Sequence, residues 1–414
     1  MHRLLPFPAA VHPNPHSLRP VAAPGTAAGS SRSKNLIGRS LSPRTAMTGG
    51  SMDRLTDDIL ADIISRVPYK STCCCKCVST RWRHLIAHPD HRAKMPQSLV
   101  GFFCESDNMA RHFINALAQG CPPLVDPSLS FLPKHESIDI LDSCNGLLLC
   151  CLRDETHTDE ILYYVVCNPS TEKWVVVPTT DWSSSAEVYL AFDPAVSSHF
   201  HVCELVDCGA WDDDDDDTGI IGDIAAVVIY SSKTGVWSHK ADAWSGSSIT
   251  IPSGAKSVFF RGELHLCAYN NQLIAIDVEE NDWKVIPLPA SVTVSYDIYL
   301  SYGQLHFAQI GFLSELSIWV LEDPSSEIWT LKRNITHFQL FGTEDSAYAD
   351  DYDVISIHPE DNLIFIVAGH MQTLMSYEMD SMKRRIIRPL GFVSNRVRCI
   401  PYVPLFLESL ADGH

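Results

Sequence analysis

The sequence predicts an α+β multidomain protein: a short N-terminal module of three helices, followed by a large all-β propeller of about six blades. Three observations carry this. Residues 52–95 hold helix-period apolar stripes interrupted by Pro68 and by His88-Pro89. Beyond them the chain is strand-like and repetitive, with Trp174, Trp237, Trp283 and Trp329 separated by 63, 46 and 46 residues, a period that fits four short strands per propeller blade. Residues 1–51, by contrast, contain 7 Pro, 7 Ala, 7 Ser and 5 Gly with no acid, a composition that buries too little apolar surface to offset chain entropy.

The 1–51 tail is therefore expected to be disordered, with Met47 and Met52 as alternative starts. Its interspersed Arg and Ser without acids also match an organellar transit peptide, the alternative to a cytoplasmic or nuclear location. The whole chain has 31 Lys+Arg, 50 Asp+Glu and a formal net charge of −19. Six of the basic residues lie in the tail, leaving 25 against 50 in residues 52–414. So acidic a body argues against nucleic acid held through its phosphates. No apolar run approaches the roughly 18–20 residues that span a bilayer, which argues against a membrane. The 14 cysteines are scattered rather than framed, which favours a reducing compartment over a disulfide scaffold.

The helical module begins at Leu55. Thr56 is placed to cap a first helix, Asp57 and Asp58 favour its positive end, and Ile59, Leu60, Ile63, Ile64 and Val67 form a broad apolar stripe that Pro68 stops. Ser71 is placed to cap a second helix with Cys74, Cys75 and Val78 inward. Ser79 begins a third, in which Trp82, Leu85 and Ile86 share a face. About forty residues rarely make a self-sufficient core, so these apolar residues imply docking against something else. Cys74 and Cys77 form a C-x-x-C without a second ligand pair, and packing is the favoured role of the cysteines here.

The run Leu55-Thr56-Asp57-Asp58-Ile59-Leu60, then Ile63-Ile64-Ser65-Arg66-Val67-Pro68, Lys70-Ser71 and Cys77-Val78-Ser79 leading to Trp82-Arg83-His84-Leu85-Ile86, resembles the F-box motif over nearly its whole length. Members of that family usually begin with Leu-Pro, where this chain has Leu55-Thr56. The resemblance implies a module that binds a Skp-type adaptor and through it a cullin, within an SCF-type ubiquitin ligase. Leu55, Ile59, Leu60, Pro68 and Trp82 are the residues expected to face the adaptor, with Ile63 and Leu85 internal.

From about residue 99 to 406 the chain repeats a strand, a turn, a Gly-x-Leu strand, a loop, a strand, a turn and a Trp strand. The Gly-x-Leu element recurs as Gly146-Leu147-Leu148, Gly262-Glu263-Leu264 and Gly303-Gln304-Leu305, and as Asn362-Leu363-Ile364 without its glycine. Polar turns such as Asn168-Pro169-Ser170-Thr171 precede the tryptophans, and a fifth copy carries Arg385 in the tryptophan position. Exposed sheet edges invite aggregation, so Leu99–Cys104 and Arg396–Pro401 are expected to complete a closed ring. The Ser143-Cys144-Asn145-Gly146-Leu147-Leu148 stretch and the Asn168-Pro169-Ser170-Thr171 turn resemble the F-box-associated, kelch-like domains of plant F-box proteins. Residues 407–414 form a C-terminal tail.

The sequence lacks G-x-S-x-G, H-E-x-x-H, P-loop and G-x-G-x-x-G motifs, so it nominates no catalytic, metal or cofactor residue. His265 and His306 recur at equivalent repeat positions, which favours structure over ligation. Two functional classes remain: a noncatalytic substrate receptor of a ubiquitin ligase, and a propeller enzyme such as a glycan hydrolase or oxidase with a fortuitous helical preface. The first accounts for both halves of the chain. Its target-binding candidates are Trp211 with the acidic run Asp212, Asp213, Asp214, Asp215, Asp216 and Asp217, and a second acidic stretch with Glu344, Asp345, Asp350, Asp351 and Asp353. Both are expected in inter-strand loops, where a summed negative field favours a basic protein segment.

Overall fold

In a computed structural model of the chain, the structure describes residues 55–67, 69–92, 95, 98–105, 111–116, 123, 125–132, 137–153, 161–184, 186–207, 220–239, 249–289, 293–323, 327–342, 352–391 and 397–405. The chain divides into two units, Met1–Asp53 and Arg54–His414. The tail 1–51, Pro68, Trp211, Asp212–Asp217, Glu344, Asp345, Asp350, Asp351 and residues 407–414 lie outside the described residues.

Helices come first: α1 (Asp57–Ser65), α2 (Tyr69–Cys75), α3 (Thr80–Ala87) and a single turn, α4 (Pro89–Arg92). The details differ from the sequence expectation in three places. Thr56 takes the N-cap position of α1 but its side chain makes no capping bond; Arg81 bonds there instead, to the Leu55 carbonyl (2.6 Å) and the Asp57 carboxylate. Ser71 lies inside α2, which starts two residues earlier. Helical structure also restarts at Pro89, whose fixed φ and missing N–H suit a first helical position. Ser79 does cap α3, accepting from the Trp82 N–H.

Twenty-four strands follow among the described residues. β1 (Gly101–Glu105) and β2 (Arg111–Asn115) precede five sequential meanders. Blade 1 is β3 (Ser137–Cys144), β4 (Leu147–Arg153), β5 (Ile161–Asn168) and β6 (Lys173–Val177). Blade 2 is β7 (Ala186–Ala191), β8 (His201–Asp207), β9 (Ile220–Ser231) and β10 (Val236–His239), with β11 (Thr250–Pro252) added along β9. Blade 3 is β12 (Ser257–Phe260), β13 (Glu263–Ala268), β14 (Gln272–Asp277) and β15 (Asp282–Pro287). Blade 4 is β16 (Thr293–Ser301), β17 (Gln304–Gly311), β18 (Leu316–Leu321) and β19 (Trp329–Ile335), and α5 (His337–Phe341) leads out of it. Blade 5 is β20 (Tyr352–Ile357), β21 (Leu363–Ala368), β22 (Thr373–Glu378) and β23 (Lys383–Pro389).

The last strand, β24 (Arg398–Tyr402), returns to pair antiparallel with β1, so blade 6 is the sheet β2-β1-β24. The first strands β3, β7, β12, β16 and β20 adjoin in order, and β24 lies between β20 and β3. Six blades therefore close a ring, and the two segments expected to complete it are the ones that do. Between each neighbouring pair of blades lies one apolar core, six in all. β14 shows how one strand serves two of them, with Ile274 and Ile276 facing blade 2 and Leu273 and Ala275 facing blade 4. Most middle strands are buried on both faces and read as apolar runs; β8 also carries the buried Glu204, whose carboxylate accepts from the Thr180 and Ser183 hydroxyls.

Closure rests on the two motif stretches. Asn145 and Gly146 take positive φ (46° and 92°), the hairpin turn that glycine favours. A Cβ on Gly146 would lie 2.4 Å from the Leu405 Cβ and 2.6 Å from its backbone nitrogen, so the returning chain occupies the space a side chain would need. Asn168 Nδ2 donates to the Leu405 carbonyl (3.0 Å), and the Ser170 and Tyr402 hydroxyls lie 2.9 Å apart.

The repeated tryptophans seal blade interfaces from the outside rather than from the middle. Trp237 Nε1 donates to the Pro178 carbonyl after β6, and Trp329 Nε1 to Pro287 at the end of β15, each reaching the preceding blade. Trp283 is only half-buried, against the core between blades 2 and 3, and Trp174 is 40% exposed. The tryptophans are thus not fully buried anchors: on outermost strands one side of the indole faces solvent.

Two substitutions check these contacts. Gly146→Ala combines a positive φ with a clash against the returning chain, and we expect it to cost at least about 2 kcal/mol, read as a lowered urea midpoint. Trp329→Ala loses a hydrogen bond and half a packed ring, for about 2 kcal/mol, and Trp329→Phe recovers part of it. A wild-type midpoint for either alanine variant would refute the corresponding contact.

Candidate functional site

Two surfaces carry the functional question, one on the helical module and one at the propeller axis. In the module, Leu60, Ala61, Ile64, Leu85, Ile86 and Met95 are buried together, with Leu55, Val67, Cys75 and Trp82 packed partly against them. Leu55 precedes the N-cap and Leu60 is the fourth helical residue, the spacing of a hydrophobic staple. Among the exposed residues of the module are three apolar ones: Ile59 is 50% exposed, Ile63 39% and Val78 62%. Ile59 and Ile63 are one turn apart on α1 and so share a face.

This redistributes the residues nominated from the sequence. Leu60 has no exposed surface and is removed from the direct contact set, because it spends its side chain on the module's own core. Ile63, expected to be internal, lies open. Ile59 is open, Leu55 and Trp82 are half-buried at the rim of the core, and Pro68 lies outside the described residues. Val78 and Cys74, expected to point inward, are exposed. The helical wheel holds the signal that was missed: Leu60, Ala61 and Ile64 define one face of α1, and the Ile59–Ile63 pair falls beside it.

At the propeller axis the first strands of the blades are joined by polar contacts. Asp142 sits beside a bulge in β3. Its carboxylate accepts from the Leu190 N–H of blade 2 (2.9 Å), the Ser257 hydroxyl of blade 3 (2.8 Å) and the Ser143 N–H (2.7 Å). Burial pushes this carboxyl above its ordinary value, with the donated bonds opposing. Lys256 donates to Asp297 of blade 4 (2.7 Å) and to the Val354 carbonyl of blade 5 (2.7 Å), and lies 3.8 Å from Asp353. Burial works against its charge, but Asp297, Tyr299 and Asp353 outweigh it and hold the ammonium well above its usual range. Arg398 of β24 bonds the Leu141 carbonyl of β3. Asp353, expected in a loop, is thus a strand residue of the axial network.

The network ties the blades together by satisfying its buried polar groups: Asp142 accepts from donors of blades 2 and 3, and the amine donates to Asp297, Tyr299 and the Val354 carbonyl of blades 4 and 5. His265 and His306 each place Nδ1 against the carbonyl two residues upstream, Glu263 (3.1 Å) and Gln304 (3.0 Å), and burial lowers both imidazoles. Among the described residues no group of three or more His, Cys, Asp or Glu side chains is placed to hold a metal ion, and no helix is long and apolar enough to cross a membrane.

Removing the central amine leaves its acids uncompensated. Lys256→Met should therefore destabilise the propeller by about 3 kcal/mol in urea titration, and Asp297→Asn in the same chain should restore part of the loss. An unchanged midpoint in Lys256→Met would show the network to be incidental.

Comparison with known sequences agrees with both halves of the chain. The F-box domain family matches residues 52–94, and the family described as F-box protein At3g26010-like, beta-propeller, matches residues 123–397. Among curated relatives from Arabidopsis thaliana, F-box protein At5g07610 is 24% identical over 67% of this chain and 70% of its own length. The putative F-box/kelch-repeat protein At1g15680 is 23% identical over 80% and 82%, and F-box protein At5g49610 is 22% identical over 83% and 95%. With a helical module in the first span and the five four-stranded meanders of the propeller in the second, the chain belongs to the F-box proteins of the At3g26010-like β-propeller family.

Proposed function

We propose that this protein is the substrate-recognition subunit of an SCF-type ubiquitin ligase, in which the helical module docks a Skp-type adaptor, and through it a cullin, while the propeller binds a target protein. The observation that carries it is the apolar surface of Ile59, Ile63 and Val78, left open on a module that matches the F-box domain. A forty-residue unit has few apolar residues to spare, and placing three of them in water is costly unless a partner covers them. Leu55, Trp82 and Pro68 complete the proposed contact, and Leu60 supports it from beneath.

For the target, the sequence offers Trp211 and Asp212–Asp217, an acidic insertion between β8 and β9. Its charge suits a basic segment of the bound protein, drawn in by long-range attraction.

The test is binding of the full chain to a purified Skp-type adaptor. Ile59→Asp with Ile63→Asp places two charges in the proposed interface and should weaken the complex at least about thirtyfold, the equivalent of 2 kcal/mol, with helical circular dichroism retained. Leu60→Ala should instead loosen the module itself. Failure of the wild type to bind, or equal binding by the double variant, would refute the proposal.

A further inference from the structure

We propose that Cys104 and Cys399 form a reversible disulfide that latches the propeller ring. The two residues are register partners across the β1–β24 pair, the pair by which the C-terminal strand closes the ring. Directly opposed residues of an antiparallel pair have Cα atoms about 4.5–5.5 Å apart, within the span a disulfide bridges. The sulfur atoms lie 2.7 Å apart, joining positions separated by 295 residues of sequence. Both thiols are buried in the core between blades 5 and 6. They sit one residue from the strand ends, beside the exposed Arg398 and the half-buried Glu105, where fraying admits a small oxidant.

The co-reactant is a peroxide. The Cys399 hydrogen bond and burial keep the Cys104 thiol protonated, so the attacking thiol gives up its proton as it meets hydrogen peroxide; the O–O bond breaks, a sulfenic acid forms, and the displaced oxygen takes that proton and leaves as water. The second thiol attacks the sulfenic sulfur, the S–S bond forms, and a second water is released. Two thiols and one peroxide thus give one disulfide and two waters, and a dithiol reductant reverses the bond by exchange. Cys150 and Cys167 also approach each other, on adjacent strands of blade 1, but a bond there would staple only a local hairpin. The Cys104–Cys399 bond instead restrains nearly the whole propeller chain when unfolded, and the stabilisation from a cross-link grows with the loop it closes.

The experiment treats the full chain with hydrogen peroxide, blocks remaining thiols, and maps cross-linked peptides without reduction. We expect a Cys104–Cys399 peptide and a thermal midpoint raised by at least about 5 °C, both abolished by dithiothreitol. Cys104→Ser and Cys399→Ser should each lose the cross-link and the shift; if a serine variant does not fold, the wild-type peptide map decides alone. Oxidation yielding only a Cys150–Cys167 peptide, sulfinic acid at Cys104 or Cys399 without a cross-link, or a cross-link with an unmoved midpoint would each overturn the proposal.

Discussion

Pairing of β24 with β1 is the contact on which the rest of the propeller depends. A meander of four-stranded blades has two ends, and each end would expose an apolar face and an unpaired edge. Placing one strand from the C-terminus at the inner position of the blade begun by β1 and β2 removes both problems. It also places the two longest-range apolar cores, those of blades 5 and 6 and of blades 6 and 1, under the control of five residues, Arg398–Tyr402. Phe102, Phe103 and Tyr402 are wholly buried there, and Phe103 packs edge-on against both Phe113 and Tyr402. Each such side chain contributes about 1.5–3 kcal/mol by burial, so loss of the strand would exceed the margin of a typical domain.

The turn motifs follow from that constraint. Gly146 and Asn168 lie in blade 1, yet their partners are in residues 403–405, beyond β24, whereas Asn145 donates to the Phe192 carbonyl of blade 2. Gly146 has no side chain because Leu405 fills the space, and Asn168 donates to the Leu405 carbonyl. The axial network extends the same logic to charge. Asp142 joins blades 1, 2 and 3, Lys256 joins blades 3, 4 and 5, and Arg398 joins blade 6 to blade 1. Apolar packing holds neighbours together but is non-directional, whereas these bonds set the blades' rotation about the axis.

Much of this was legible in the sequence because a repeat advertises itself. Each blade is one local meander, so the Gly-x-Leu hairpins and the spacing of Trp237, Trp283 and Trp329 report blade architecture through contacts close in sequence. Closure was legible for a different reason: two strand-like segments at the ends of the repeat had no blade of their own. What was hidden depends on which of two faces a residue takes. The tryptophans look like core residues by type, but outermost strands bury only one side. Asp353 looked like part of an acidic loop, and nothing nearby in sequence announces Lys256, ninety-seven residues earlier, as its neighbour. On α1 the stripe was broad enough to leave the division between inner and outer residues undecided, and packing against Leu85 and Ile86 settled it.

The two parts of the chain solve the same problem in opposite ways. The propeller buries apolar residues on both sides of its blades, and its buried charges meet partners: Lys256 with Asp297 and Asp353 at the axis, and Glu204 of β8 with the Thr180 and Ser183 hydroxyls. Among its described residues the helical module buries six apolar ones in one core and leaves Ile59, Ile63 and Val78 in water. Turning Ile63 inward would have enlarged a core that needs it, since a unit of this size is marginal without metals or disulfides. Selection for stability alone would not leave that side chain outside. In the proposed function these isoleucines are half of an interface, and the adaptor's surface completes the burial that the module's own core leaves undone.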